Sequence, residues 1–135
     1  MAVAAAIGVG QSDDGGDTWT WSDDGLHAAY CRAAAVADGW LLASASTGPA
    51  STEGAVYRRP LGDPAAPFAR CGTGDGEGMP AAFAHNIDTF ALAAAGPLVA
   101  VGTPTGDLFV SEDSGATWRR LATALPGIHC VEFAA

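Results

Sequence analysis

Short apolar runs separated by glycine- and proline-bearing turns recur along this chain, and they return in a repeating order. Runs of this length, bounded this way, are the pattern of an all-β fold. Ala37-Asp38-Gly39-Trp40-Leu41-Leu42-Ala43 aligns with Ala94-Ala95-Gly96-Pro97-Leu98-Val99-Ala100 at an offset of 57. Val56-Tyr57-Arg58 then corresponds to Phe109-Val110-Ser111, and Phe68-Ala69-Arg70 to Trp118-Arg119-Arg120. A further register relates Phe90-Ala91 to Phe133-Ala134 at an offset of 43. These alignments predict strands near 3–9 and 18–22, then 29–36, 40–45, 55–58 and 67–71. A second full set follows near 87–93, 98–102, 107–111 and 117–121, with one last strand at about 128–134.

One turn is spelled out twice. Residues 12–19 read Ser-Asp-Asp-Gly-Gly-Asp-Thr-Trp and residues 111–118 read Ser-Glu-Asp-Ser-Gly-Ala-Thr-Trp. Both fit S-x-D-x-G-x-T-W, through Ser12, Asp14, Gly16, Thr18 and Trp19, and through Ser111, Asp113, Gly115, Thr117 and Trp118. Each position has a physical task. Ser and Asp side chains accept bonds from nearby backbone N–H groups, and Gly takes a conformation that a Cβ forbids. Thr opens the next strand, and Trp offers a large ring to bury. Leu108-Phe109-Val110 leads into the second turn, so the unit is a β-hairpin. The two turns lie 99 residues apart, about two repeat units of roughly 40–50 residues. A degenerate unit therefore lies between them, with Pro60-Leu61-Gly62-Asp63-Pro64 in place of the motif.

Composition narrows the function more than the fold. With 15 acidic residues against 6 basic ones, all Arg, the net charge is −9. That balance works against binding a polyanion such as nucleic acid and against anionic membrane surfaces, so neither partner is expected. Cys31, Cys71 and Cys130 are odd in number and include no C-x-x-C pair, so neither a disulfide framework nor a zinc knuckle is indicated. Reduced, buried thiols in a cytoplasmic chain are the expectation. The apolar N-terminus lacks a basic n-region and runs into the turn at Ser12, so it does not read as a signal peptide. No apolar run reaches transmembrane length.

The doubled motif, with Val-Tyr-Arg-Arg, Phe-Ala-Arg-Cys, Asn-Ile-Asp-Thr and Leu-Pro-Gly-Ile-His-Cys-Val between Val56 and Val131, resembles the BNR/Asp-box β-propellers of the WD-repeat-like and YVTN-like kind. These include sialidases, sortilin-type receptors, xyloglucan-active hydrolases and photosystem II assembly factors. The likeness is greatest to bacterial propellers described as exo-alpha-sialidases or glycosyl hydrolases. The resemblance implies an all-β partial propeller of about two and a half four-stranded antiparallel blades with Asp-box hairpins. Its segments are a blade part at 1–26, a degenerate blade at 27–80, a blade at 81–125 and a closing inner strand at 126–135. A closed propeller needs about 4–8 blades. The expectation is thus the C-terminal part of a longer propeller, or a chain that closes a ring by self-association.

Sialidases of this resemblance use three arginines, a Tyr nucleophile paired with a Glu, and an Asp acid/base. Arg58-Arg59 and Arg119-Arg120 fall beside the box hairpins, and Tyr30 and Tyr57 have no Glu partner in sequence. No catalytic residue, metal or cofactor is assigned. The expected role is a non-catalytic scaffold for a protein or small carbohydrate-like ligand. The alternative is the C-terminal part of a sialidase-like hydrolase.

A binding face would lie opposite the box turns. His27, His85 and His129 recur at separations of 58 and 44, near the starts of inner strands. Asn86, Asp88 and Glu132 neighbour the second and third. Two readings stand: ordinary polar residues at strand starts, or a shared ligand or metal site at a tunnel mouth. Two longer connections lie there, Ser46–Gly54 and Gly72–His85. The second holds Asp75 and Glu77 among glycines, either a solvated loop or a calcium-binding or recognition loop. Its G-x-G precedes no predicted helix, which removes a nucleotide reading. Trp21 and Trp40 are packing residues or sugar platforms.

Overall fold

A two-residue hairpin at Asp38-Gly39 shows how the chain builds its sheets. Both residues have positive φ, 38° and 81°, which matches the right-handed twist of the flanking strands. Ala37 then faces Trp40 across the turn. The computed structural model describes residues 1–73 and 76–134. Among these the fold is all-β, with no helix and three antiparallel sheets. The first sheet is β1 (Ala2–Ala5), β2 (Gly8–Gln11) and β3 (Thr20–Ser22). The second is β4 (Tyr30–Ala37), β5 (Trp40–Ser46), β6 (Gly54–Pro60) and β7 (Ala69–Arg70). The third is β8 (Leu92–Ala95), β9 (Leu98–Gly102), β10 (Leu108–Ser111) and β11 (Arg119–Ala122). Each runs in sequence order, and the first strands β1, β4 and β8 lie side by side.

Three expectations need correction. The strand expected at 3–9 is a hairpin, β1 to β2, because the chain reverses at Ala6-Ile7 inside an apolar run, with Gly8 directly after the turn at a φ of 117°. The strand expected at 128–134 joins no sheet. Its backbone makes single bonds, Ile128 N–H to Thr103 O and Val131 N–H to Phe90 O, where a strand needs a ladder partner. The offset between the second and third sheets is 58, since Ala95 faces Leu98 as Ala37 faces Trp40. The one-residue difference matters, because a slip of one exchanges the two faces of a strand.

The core lies between the sheets. Ala2, Ala4 and Val9 of the first sheet pack on Leu41, Ala43, Ala55 and Tyr57 of the second. The other face of the second sheet, with Ala33, Leu42, Val56 and Trp40, packs on Leu92, Val99, Val101 and Phe109 of the third. Burying each large aliphatic or aromatic side chain there contributes about 1.5–3 kcal/mol. Arg59 is the exception. It is fully buried, its guanidinium lies 4.6 Å from the Phe68 ring, and it donates to Pro64 O and to Gln11 Oε1. Gln11 in turn donates to Leu61 O. This network ties the 61–64 connection, which replaces the turn motif, to the first sheet.

Two backbone crossings fasten the connections that leave each complete sheet. Phe83 exchanges both hydrogen bonds with Gly54, and a Cβ on Gly54 would sit 2.2 Å from His85 O. One sheet on, Leu125 donates to Gly106 O, and a Cβ on Gly106 would sit 1.9 Å from Leu125 O. Only glycine permits either approach.

Candidate functional site

The two S-x-D-x-G-x-T-W turns are built bond for bond alike. The Ser12 and Ser111 hydroxyls each donate to the Asp Oδ1 at 2.8 Å, and each accepts from the Gly16 or Gly115 N–H at 2.8 Å. The Thr N–H donates to the same Oδ1 at 2.9 and 2.8 Å, and the Thr hydroxyl to Oδ2 at 2.5 and 2.6 Å. Each Trp Nε1–H closes the turn on the glycine carbonyl, at 3.0 and 2.9 Å. These donors hold the Asp14 carboxyl well below the usual carboxylate range. For Asp113 burial pushes the other way and is the largest single influence. The Thr117 and Ser111 donors together outweigh it and hold the carboxyl at about 2. The Ser, Asp, Thr and Trp side chains at the fixed positions of both motifs are all spent on the turn itself, so their chemistry is structural.

The histidine group lies at the opposite end of the sheets, around the 46–54 connection. His27 precedes β4 and stacks on Tyr57, with ring centroids 5.9 Å apart. The Tyr57 hydroxyl accepts from the His27 N–H at 3.2 Å and from the Arg70 guanidinium at 2.8 Å. With both lone pairs occupied, its proton goes to His27 Nδ1, 2.7 Å away. His27 is thereby the Nε2–H tautomer, with Nε2 3.4 Å from Glu53 O. His85 lies on the other side of the Glu53-Gly54 segment, with Nδ1 3.0 Å from Asn86 O and its ring against Phe83 at 5.4 Å. Asn86 donates to Gly48 O and Pro49 O and so pins the 46–54 connection. Asp88 pairs with Arg32, whose guanidinium lies 5.6 Å from the Tyr30 ring.

The structure thus gathers His27, His85 and Asn86 on one connection, while Asp88 pairs instead with Arg32 of β4. His129 sits one sheet further on, near Gly127 and the Pro104 carbonyl, and Glu132 is exposed on the segment that follows. Among the described residues, no three His, Cys, Asp or Glu side chains are placed to hold a metal ion. Asp75 of the glycine-rich connection lies outside the described residues. Glu77 accepts there through its backbone carbonyl, from Arg120 N–H at 2.8 Å.

Sequence reasoning missed the Tyr57–His27–Arg70 network. Its one signal was a tyrosine inside an apolar strand, since a buried hydroxyl requires partners. Tyr57 is 2% exposed, and its hydroxyl meets an imidazole and a guanidinium rather than a carboxylate.

A cavity of about 200 Å³ opens between the 71–79 connection and the second turn, lined by Cys71, Met79, Thr117 and Trp118 among others. Burial pushes the Cys71 thiol up to about 12 and the Cys31 thiol up to about 11, so neither supplies a thiolate nucleophile at neutral pH. Trp40 is held under Arg58, 4.0 Å from guanidinium carbon to ring centroid, and packs on the core. Trp21 is 45% exposed and lies 6.4 Å from Trp19. Among the described residues no helix is long and apolar enough to cross a membrane.

No family model matches this chain, and no curated protein matches it.

Proposed function

We propose that this chain is a segment of a BNR/Asp-box β-propeller that serves as a non-catalytic binding scaffold. The observation that carries the reading is the identity of the two turns. Five hydrogen bonds recur in each with the same partners, at the same place between the last two strands of an antiparallel sheet. Side-by-side first strands in successive sheets fit the same architecture. The binding surface is the end of the sheets away from the turns, where Asn86 fixes the 46–54 connection between His27 and His85. Its ligand is a protein or a small carbohydrate-like molecule.

The hydrolase alternative has weaker support. The buried Tyr57 hydroxyl is engaged by His27 and Arg70, and the Arg32 guanidinium is neutralised by Asp88, so neither is free to act on a sugar carboxylate. Titration with sialyllactose, followed by amide chemical shifts, together with incubation with a fluorogenic sialoside, separates the two. The scaffold reading expects no turnover, and any shifts confined to residues 46–54 and 83–88 and reduced in Asn86→Ala. Turnover by the chain, abolished in Tyr57→Phe, would transfer support to the hydrolase.

A further inference from the structure

The interior faces of the three sheets follow one rule, and the rule leaves two faces over. Alternation along the strands puts Val3, Gly10 and Trp21, register partners across the first sheet, on the side away from the second sheet. A Cβ on Gly10 would touch both the Trp21 ring and Val3 at 3.0 Å, so the indole lies flat across β2. On the third sheet, Leu98, Ala100, Leu108 and Val110 point away from the core that holds Val99, Val101 and Phe109. Leu98 is 39% exposed and Val110 half-buried, whereas at the other end of this face Ile128 and Val131 of the last segment lie over Gly102, the register partner of Leu108, so the open part is the strip at Leu98 and Val110.

The paired turns show what each uncovered face lacks. The 111–118 turn is seated on the second sheet. Arg58 donates to Ser114 O at 3.1 Å, and Leu42 comes within 2.9 Å of the Cβ position of Gly115. The 12–19 turn has the same internal bonds, yet the Cβ position of Gly16, the counterpart of Gly115, meets only Trp19 and Met1 at 3.8 and 3.9 Å, and among the described residues nothing lies within 4 Å of that of Gly15, the counterpart of Ser114. On the third sheet, hairpin register sets Leu98 where the second sheet has Trp40, and Ala100 where it has Leu42. Arg119, paired with Val110 and 57% exposed, supplies a guanidinium on that face, where one of its nitrogens donates to the exposed Glu112 carboxylate at 3.3 Å. Exposed Asp13, Asp14 and Asp17 ring the unseated turn. One face offers an apolar strip with an arginine, the other an apolar strip with an acidic turn.

We propose that the outward face of the third sheet docks the outward face of the first sheet of a second copy of this chain, head to tail. Trp21 and Val3 of one copy cover Leu98 and Val110 of the next, and Arg119 reaches the Gly15 carbonyl and its neighbouring carboxylates. The contact continues the packing already made twice within the chain. It joins two different surfaces, so it either closes a ring or runs on. It stands whatever ligand the opposite end binds.

Light scattering and sedimentation of the parent chain, of Trp21→Glu and of Leu98→Glu test this. Both substitutions fall at exposed positions, and a retained cooperative melt checks that each variant folds. The parent is expected to assemble, and each variant alone to be monomeric. An equal mixture should give a heterodimer and nothing larger, because each variant brings the one face the other lacks. Arg119→Glu should weaken assembly about tenfold or more, with the loss greatest at low salt. A parent chain that stays monomeric at every concentration, a single variant that assembles as the parent does, or a mixture that remains monomeric would each overturn the proposal.

Discussion

The Asp14 and Asp113 carboxylates each accept three hydrogen bonds from their own turns, two from hydroxyls and one from a backbone N–H, and this gives the acid stability of the fold a defined shape. Both carboxyls are depressed from 3.8, Asp113 to about 2 and Asp14 further. A carboxyl whose folded pKa lies below its unfolded value binds protons preferentially in the unfolded chain. Its contribution is complete above 3.8 and is lost as the pH falls through the folded value. Thermal melts between about pH 6 and pH 2 should therefore show the parent losing stability mainly below about pH 4. The Asp14→Asn, Asp113→Asn double variant should melt lower at the top of that range and show a shallower acid limb. Equal slopes for both proteins would contradict the assignment. These residues were legible in the sequence because their partners sit two to four positions away. The Tyr57 partners were not, since His27 lies 30 positions before it and Arg70 13 after it, on other segments.

Among elements, the hairpins decide which face of each sheet meets which core. The repeat in the sequence located most strands to within a few residues, because turn glycines punctuate them. It placed the second and third sheets one residue out of step, because Gly39 and Gly96 look equivalent but occupy different positions of their turns. Asp38 is the residue that matches Gly96, and it tolerates the left-handed conformation that usually needs glycine. The β1–β2 hairpin was hidden for another reason, an alanine-rich run with no polar turn residue. The two motif turns also differ in surroundings, and a glycine pair exposes the difference. Gly16 and Gly115 both have positive φ, 105° and 85°, so alanine strains either by about 1 kcal/mol. Only Gly115 also has Leu42 at 2.9 Å. Chemical denaturation should find Gly115→Ala destabilised more than Gly16→Ala; equal losses would mean that the second turn is not seated on the second sheet as described.

For the molecule as a whole, the cohesion of the first and second sheets rests on an apolar strip and one buried cation. Arg59 has no carboxylate partner in its network, and its Nε is left without a hydrogen bond. Burial lowers its pKa from the ordinary value, so the site resists the charge even as the guanidinium satisfies Pro64 O and Gln11 Oε1. Removing the side chain strands those acceptors. Arg59→Met should cost about 1–3 kcal/mol in denaturant unfolding, and an unchanged midpoint would show that the apolar strip alone holds the two sheets. The two four-stranded sheets and their order could be read from the repeat, whereas a buried arginine inside Tyr57-Arg58-Arg59 could not. Adjacent arginines look alike in sequence, and only the pleat sends one to each face. The crossings at Gly54 and Gly106 carry a kinetic consequence. Each hairpin closes between near neighbours and can form early, whereas Gly54 must find Phe83 across 29 residues, and such closures are slow. The second sheet is therefore completed only when the connection into the third has arrived. In hydrogen exchange, the amides of Gly54 and Phe83 should open together as one unit.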